Sequence, residues 1–174
     1  NIIRNKNRLL NTKTKFSSLP LWFTQRVLWT DNEKQYFLKT IRKEPDLHLV
    51  FKNKIKINKI KYDFIKTTNF SISIKKKNLI EDIEGYKEGL WWVQDFSTML
   101  PIYLLNNIRK KNVADFCAAP GGKTFQLIIK GAKVTSIEKN NKRYHLMKEN
   151  LKRLNLKCNT VLKDVLTFNS RKKF

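Results

Sequence analysis

The chain has 174 residues, 41% of them hydrophobic and 29% charged, which suits one domain or one domain with a small companion and argues against global disorder. No apolar run approaches the roughly 18 residues of a membrane span, and residues 1–15 are basic and polar, without the apolar core of a secretory signal. The formal charge is +23, from 37 Lys and Arg against 14 Asp and Glu. An excess of that size concentrates polyanions and points to a nucleic-acid partner. A second reading stands beside it: only 8 of the 37 are Arg, and a chain rich in Lys, Asn and Ile is also what an AT-rich genome produces.

The charge is uneven, with 19 basic and 5 acidic residues in 1–80 against 18 and 9 in 81–174. The front half is therefore the better phosphate-binding candidate. Cys117 and Cys158 stand apart with no CxxC, and His48 and His145 are isolated, so no zinc site is expected. Two free cysteines without a signal fit a reducing cytoplasm. The chain begins on Asn, and its natural N-terminus is expected to lie upstream.

In chain order, residues 1–15 read as a basic linker. Ser17-Ser18-Leu19-Pro20 offers a helix start, a capping Ser followed by a Pro suited to the first turn. The pattern predicts a helix over 21–29 with Leu21, Val27 and Leu28 inward, then a second over 31–43, stopped by Pro45. A short strand is expected at 47–51. Lys54-Ile55-Lys56-Ile57 is a strand by period or a helix by length. Residues 70–74 alternate as a strand, and the lysines at 75–77 read as a solvated turn.

The character changes near Gly85, where a domain boundary is expected. A strand at 90–93, in which the adjacent Trp91 and Trp92 face opposite sides with at least one in the core, precedes a helix over 95–107. Then come a strand, a glycine loop and a helix over 113–130, a strand at 133–138, a helix over 141–154 and a strand at 159–162. This alternation predicts a parallel α/β sheet.

The stretch that carries chemistry is Val113-Ala114-Asp115-Phe116-Cys117-Ala118-Ala119-Pro120-Gly121-Gly122-Lys123-Thr124. An apolar strand runs into small residues and two glycines, then opens a helix. Small side chains admit a ligand to the backbone, and the helix start offers free N–H groups to a carboxylate or phosphate. A P-loop needs Gly at position 117, which is Cys, and the dinucleotide pattern GxGxxG is absent. S-adenosylmethionine remains, its carboxylate suited to the loop amides. The next strand ends in Glu138, 17 residues after Gly121, where a carboxylate can accept from both ribose hydroxyls. The third strand ends near Asp164, placed to accept from an adenine amino group. Cys117 reads as a small buried filler rather than a nucleophile, Lys123 as a cofactor-loop residue or a plain helix cap, and His145 as a surface residue.

These residues resemble the Sun/NOP family of S-adenosylmethionine-dependent RNA (cytosine-5) methyltransferases, whose bacterial members modify 16S ribosomal RNA. The likeness rests on Asp115 to Thr124 and is supported by Gly89-Leu90-Trp91-Trp92-Val93-Gln94-Asp95, by Glu149-Asn150-Leu151 with Arg153-Leu154, by Ser18-Leu19-Pro20-Leu21-Trp22 and by Leu47 to Asn53. It implies an α/β fold. A Rossmann-like class I methyltransferase sheet, present in its first strands only, would occupy 85–174 behind a small N-terminal α+β RNA-binding domain at 16–84. It also implies a cofactor loop at Cys117, Ala118, Ala119, Pro120, Gly121, Gly122 and Lys123, a ribose acid at Glu138, where Asp is more usual, and a further cofactor acid at Asp164.

Phe51-Lys52-Asn53 stands where the family has Arg-Val-Asn, and the basic linker resembles the tail of a NusB-like domain. The family's two working cysteines follow Thr and Pro. Cys117 follows Phe116 and Cys158 follows Lys157, so the catalytic pair is expected beyond residue 174 and the chain alone is expected to be inactive. The partner implied is RNA, ribosomal in the bacterial members, with no metal, no membrane and a monomeric state expected. Two other readings stay open, a basic RNA-binding protein on a degenerate methyltransferase fold and a methyltransferase for amines or small molecules.

Overall fold

The computed structural model describes residues 19–43, 45–54, 62–75, 79–171 and 173–174. The basic linker, the Ser17-Ser18 cap, most of the Lys/Ile alternation at 54–57 and two of the lysines at 75–77 lie outside the described residues. The chain divides into two compact units, Asn1–Pro45 and Asp46–Phe174.

The first unit holds α1 (Leu21–Thr24) and α2 (Asp31–Ile41). α1 is a single turn whose N-cap, Pro20, offers no side-chain bond. So short and uncapped a helix has little to set against its nucleation cost, and the expected helix over 21–29 is cut short. Leu21 and Leu28, expected inward, are exposed, because one turn carries no continuous apolar face. α2 is better specified: the Thr30 hydroxyl accepts from the Glu33 N–H, and the Glu33 carboxylate accepts from the Thr30 N–H, a complete capping box. Phe23 stacks on Phe37 at 5.6 Å and Trp29 tilts onto Phe37 at 5.1 Å.

The second unit contains two sheets. β1 (Leu47–Phe51), β2 (Phe64–Thr68), β3 (Ser71–Ile74) and β4 (Trp91–Val93) form an antiparallel sheet in the order β2-β3-β1-β4. β2 had no counterpart in the sequence reading. Its pattern does not alternate cleanly, its only strand partner among the described residues is β3, and the register slips between Lys66 and Thr68. The expected boundary near residue 85 falls inside this unit, since β4 pairs with β1, Leu49 opposite Val93 and Phe51 opposite Trp91.

α3 (Phe96–Leu104) follows, then β5 (Asn112–Phe116), α4 (Gly122–Ile129), β6 (Lys133–Glu138), α5 (Asn141–Arg153) and β7 (Asn159–Leu162). The three strands are parallel in the order β5-β6-β7, and α4 and α5 make the crossovers that parallel strands require. The α/β expectation therefore holds in both type and order.

Two apolar cores meet at β4. Trp91 belongs to one with Leu47, Leu49, Ile72, Ile74 and Ile83. Trp92 belongs to the other with Met99, Phe125, Met147, Leu151 and Leu154. Adjacent strand residues point to opposite faces, so one dipeptide anchors both cores. Both rings are buried, which leaves neither exposed for base stacking. Among the described residues no helix is long and apolar enough to cross a membrane.

Candidate functional site

The parallel sheet brings three sequence features to one end. In parallel strands the carboxyl ends share a side, and ligands of open α/β sheets bind there. β5 ends into Cys117 to Gly121, β6 ends on Glu138, and β7 runs out through Lys163 to Asp164. The register sets Phe116 opposite Ile137 and Glu138 opposite Leu162.

The loop is shaped by backbone geometry. Cys117 turns the chain at φ +58, and its side chain is exposed. The expectation of a buried filler fails here, because the left-handed turn after the strand swings the thiol outward. Ala118 and Ala119 are buried beneath the loop, and the Ala119-Pro120 peptide is cis. Gly121 sits at φ +115, and a Cβ there would lie 2.1 Å from the Phe125 ring. No other residue type fits that position.

α4 then starts with no side-chain cap, whereas Thr30, Asp95 and Asn140 cap α2, α3 and α5. The Asp115 carboxylate reaches the Thr124 N–H in its first turn, and a helix start without a capping side chain on its N-cap residue is the arrangement that suits an anion. Lys123 is exposed on that turn.

Glu138 is almost fully buried, at 4% exposure. One carboxylate oxygen accepts from the Ala119 N–H at 3.3 Å and the other from the Asn140 N–H at 2.9 Å. The Arg143 Nε lies 4.0 Å away, and the Arg143 guanidinium donates to the Ala119 carbonyl. The acid at the end of β6 thus ties the loop to the start of α5. Asp164 is more open. It accepts from the Leu166 N–H at 3.0 Å and lies 3.5 Å from Lys139. The Leu166 N–H, with Lys139 adding to it, holds its carboxyl below the usual range.

A second layer under the loop was not legible in the sequence. Thr124, completely buried, donates to Asp115 at 2.5 Å and lies 3.0 Å from the Ser136 hydroxyl. Ser136 in turn lies 3.6 Å from the Cys158 sulfur. Burial pushes the Asp115 carboxyl up, against the pull of Thr124 and Lys123. Burial likewise raises the Cys158 thiol. Beside this layer, Trp92 donates to Gln94 at 2.9 Å and Gln94 to Gln126 at 2.8 Å. A Cβ on Gly122 would meet Gln94 at 3.1 Å. Asp115 and Thr124 stood inside the motif, but only the strand–loop–helix turn brings residues nine apart into contact.

A family model described as 16S rRNA methyltransferase RsmB/F matches residues 102–172, the stretch that holds the loop, Glu138 and Asp164. Over that stretch the chain is similar to the 16S rRNA methyltransferase RsmB/F family. Among curated relatives, the probable ribosomal RNA small subunit methyltransferase B of Coxiella burnetii is 26% identical over 155 residues, covering 79% of this chain and 35% of its own length. The ribosomal RNA small subunit methyltransferase B of Photorhabdus laumondii is 37% identical over 83 residues, covering 47% and 19%. The chain thus spans about a third or less of these two relatives.

The solved structure of PH0851 superposes with a TM-score of 0.72 at 20% identity, over 83% of this chain and 36% of that one. A methyltransferase homologue from Pyrococcus horikoshii gives 0.59 at 24%, over 72% and 45%. Both likenesses establish the fold. Both cysteines fall within the RsmB/F match. Cys117 lies exposed in the loop at the β5 end, and Cys158 precedes β7 at the opposite end of the sheet, where burial raises its thiol.

Proposed function

We propose that this chain supplies the cofactor-binding front of an S-adenosylmethionine-dependent RNA (cytosine-5) methyltransferase acting on small-subunit ribosomal RNA. The observation that carries the reading is the convergence of the loop, Glu138 and Asp164 on the carboxyl ends of three parallel strands, beside the one helix of more than a turn, among those described, that lacks a side-chain cap. The RsmB/F match and the names of the relatives support it.

The residues fit the cofactor. Gly121 leaves no room for a side chain, so the backbone is bare where a ligand approaches. The N–H groups at the very start of α4, ahead of Thr124, would bind the methionine carboxylate. Glu138 uses one acceptor direction on each oxygen for the protein, and each oxygen retains lone-pair capacity for a ribose hydroxyl. Asp164 would accept from the adenine amino group. The cofactor supplies an electrophilic methyl group. This chain's share is to hold and orient it, and no catalytic residue is assigned among Cys117, Cys158 and the groups around them.

Calorimetric titration tests the site. The chain should bind S-adenosylmethionine, and Asp164→Ala should weaken binding by about 1.5–3 kcal/mol, the range for a hydrogen bond to a charged group. Absence of binding by the parent chain removes the cofactor assignment. The reaction is tested by labelled-methyl transfer to unmodified small-subunit ribosomal RNA, using protein from the complete gene. Label on a base other than cytosine overturns the reaction class.

A further inference from the structure

The end of the parallel sheet away from the proposed cofactor site carries a groove of its own. α5 ends at Arg153, Asn155 turns the chain at φ +50, and β7 starts at Asn159. Between them lies a groove of about 460 Å³ whose lining includes Lys148, Lys152, Lys157, Asn155, Cys158 and Thr160, and no carboxylate. All three lysines are exposed. Among the described residues none of them is in an ion pair.

Lysines near a helix C-terminus often serve the helix itself, by complementing its dipole or bonding its last carbonyls. That need is met by other groups here. The Asn150 carbonyl accepts from Leu154, Leu151 from Leu156 and Lys152 from Asn155. The Leu154 carbonyl accepts from Lys52 at 3.0 Å. Lys157 lies beyond the helix, and Lys148 a turn before its end, over the Tyr144 ring at 5.7 Å. Three like charges around one concavity repel one another, and a polyanion reverses that cost.

We propose that this groove binds the phosphate backbone of RNA. Lysines act as point charges and track a backbone without reading bases. Asn155 and Thr160 add neutral donors of the kind that contact phosphate and sugar oxygens. The inference rests on the reading of the chain as RNA-directed and adds to it a second contact surface, at the sheet end opposite Glu138 and Asp164.

The test measures fluorescence-anisotropy binding of a labelled single-stranded oligouridylate to the 174-residue chain across a salt series. A triple variant Lys148→Gln, Lys152→Gln, Lys157→Gln is compared with a control triple Lys87→Gln, Lys110→Gln, Lys111→Gln at other exposed positions. Circular dichroism checks that both fold. The groove variant should bind roughly tenfold more weakly at moderate salt and lose about 2 from the slope of log affinity against log salt, at roughly 0.7 per single-strand phosphate contact. Lys→Arg at the three positions should restore the slope. An unchanged slope in the groove variant, or an equal loss in the control, overturns the groove and leaves the RNA reading in place. A parent chain with no RNA affinity removes both. Binding to anionic lipid vesicles but not to RNA also overturns the proposal.

Discussion

Asp115 shows how one side chain can carry a pH signature. Its carboxyl is raised from the ordinary 3.8, chiefly by burial. A raised acid is disfavoured in its charged form when folded. Its cost is therefore absent below the unfolded pKa and grows as pH rises from 3.8 through the folded value. Asp115→Asn keeps an acceptor for Thr124 and drops the charge. The variant should match the parent in stability near pH 3 and exceed it at pH 7, read by urea melts at each pH. A variant weaker than the parent at pH 7 would show that the Lys123 attraction outweighs desolvation. The sequence displayed Glu138 and Asp164 as acids at strand ends and Asp115 only as part of the motif. It did not display that Glu138 spends both oxygens on backbone N–H groups, because those donors come from the neighbouring loop and helix start.

Gly89 is a point where two elements meet closely. It sits at φ +63, and a Cβ would lie 1.9 Å from the Arg153 carbonyl oxygen. Arg153 in turn donates to the Tyr86 and Trp91 carbonyls at 2.8 and 3.1 Å, and its guanidinium lies 4.0 Å from the Tyr86 ring centre. The end of α5 is thereby locked to the loop before β4. Gly89→Ala combines a left-handed penalty with a backbone clash and should cost about 3 kcal/mol or more in chemical denaturation. A loss below about 1 kcal/mol would mean the contact is easily relieved. At α2, Thr30→Ala removes the capping acceptor and should cost about 1 kcal/mol, read as faster amide exchange in the helix's first turn. Both effects follow from named atoms. Gly89 was visible in the sequence as a motif residue, but not the helix end that presses on it from more than sixty residues away.

For the molecule as a whole, ligand binding and stability are linked. A cofactor that binds only the folded state adds about 2.7 kcal/mol at one hundred times its Kd. S-adenosylmethionine at that excess should raise the unfolding free energy of the unit that holds the 117–123 loop by this amount. A titration with no shift in the melt would argue against a site on that unit. The charge of +23 acts at this scale too. It raises the encounter rate with any polyanion, while the location of uncompensated lysines decides where binding is retained.

The sequence by itself determined the order and type of most elements. β1 and β7 lie at the residues their patterns indicate, as does β6, and Gly121-Gly122 marked the strand-to-helix turn. These depend on periodicity, caps and glycine geometry, which act over a few residues. Tertiary structure decided what depends on distant partners. It placed β4 in the antiparallel sheet, buried both tryptophans, joined Thr124 to Asp115 and turned Cys117 outward. It also gathered three lysines from α5 and the loop before β7 around one groove. Side-chain surroundings are set by whichever segment packs against them, and the spacing of residues along the chain does not record that.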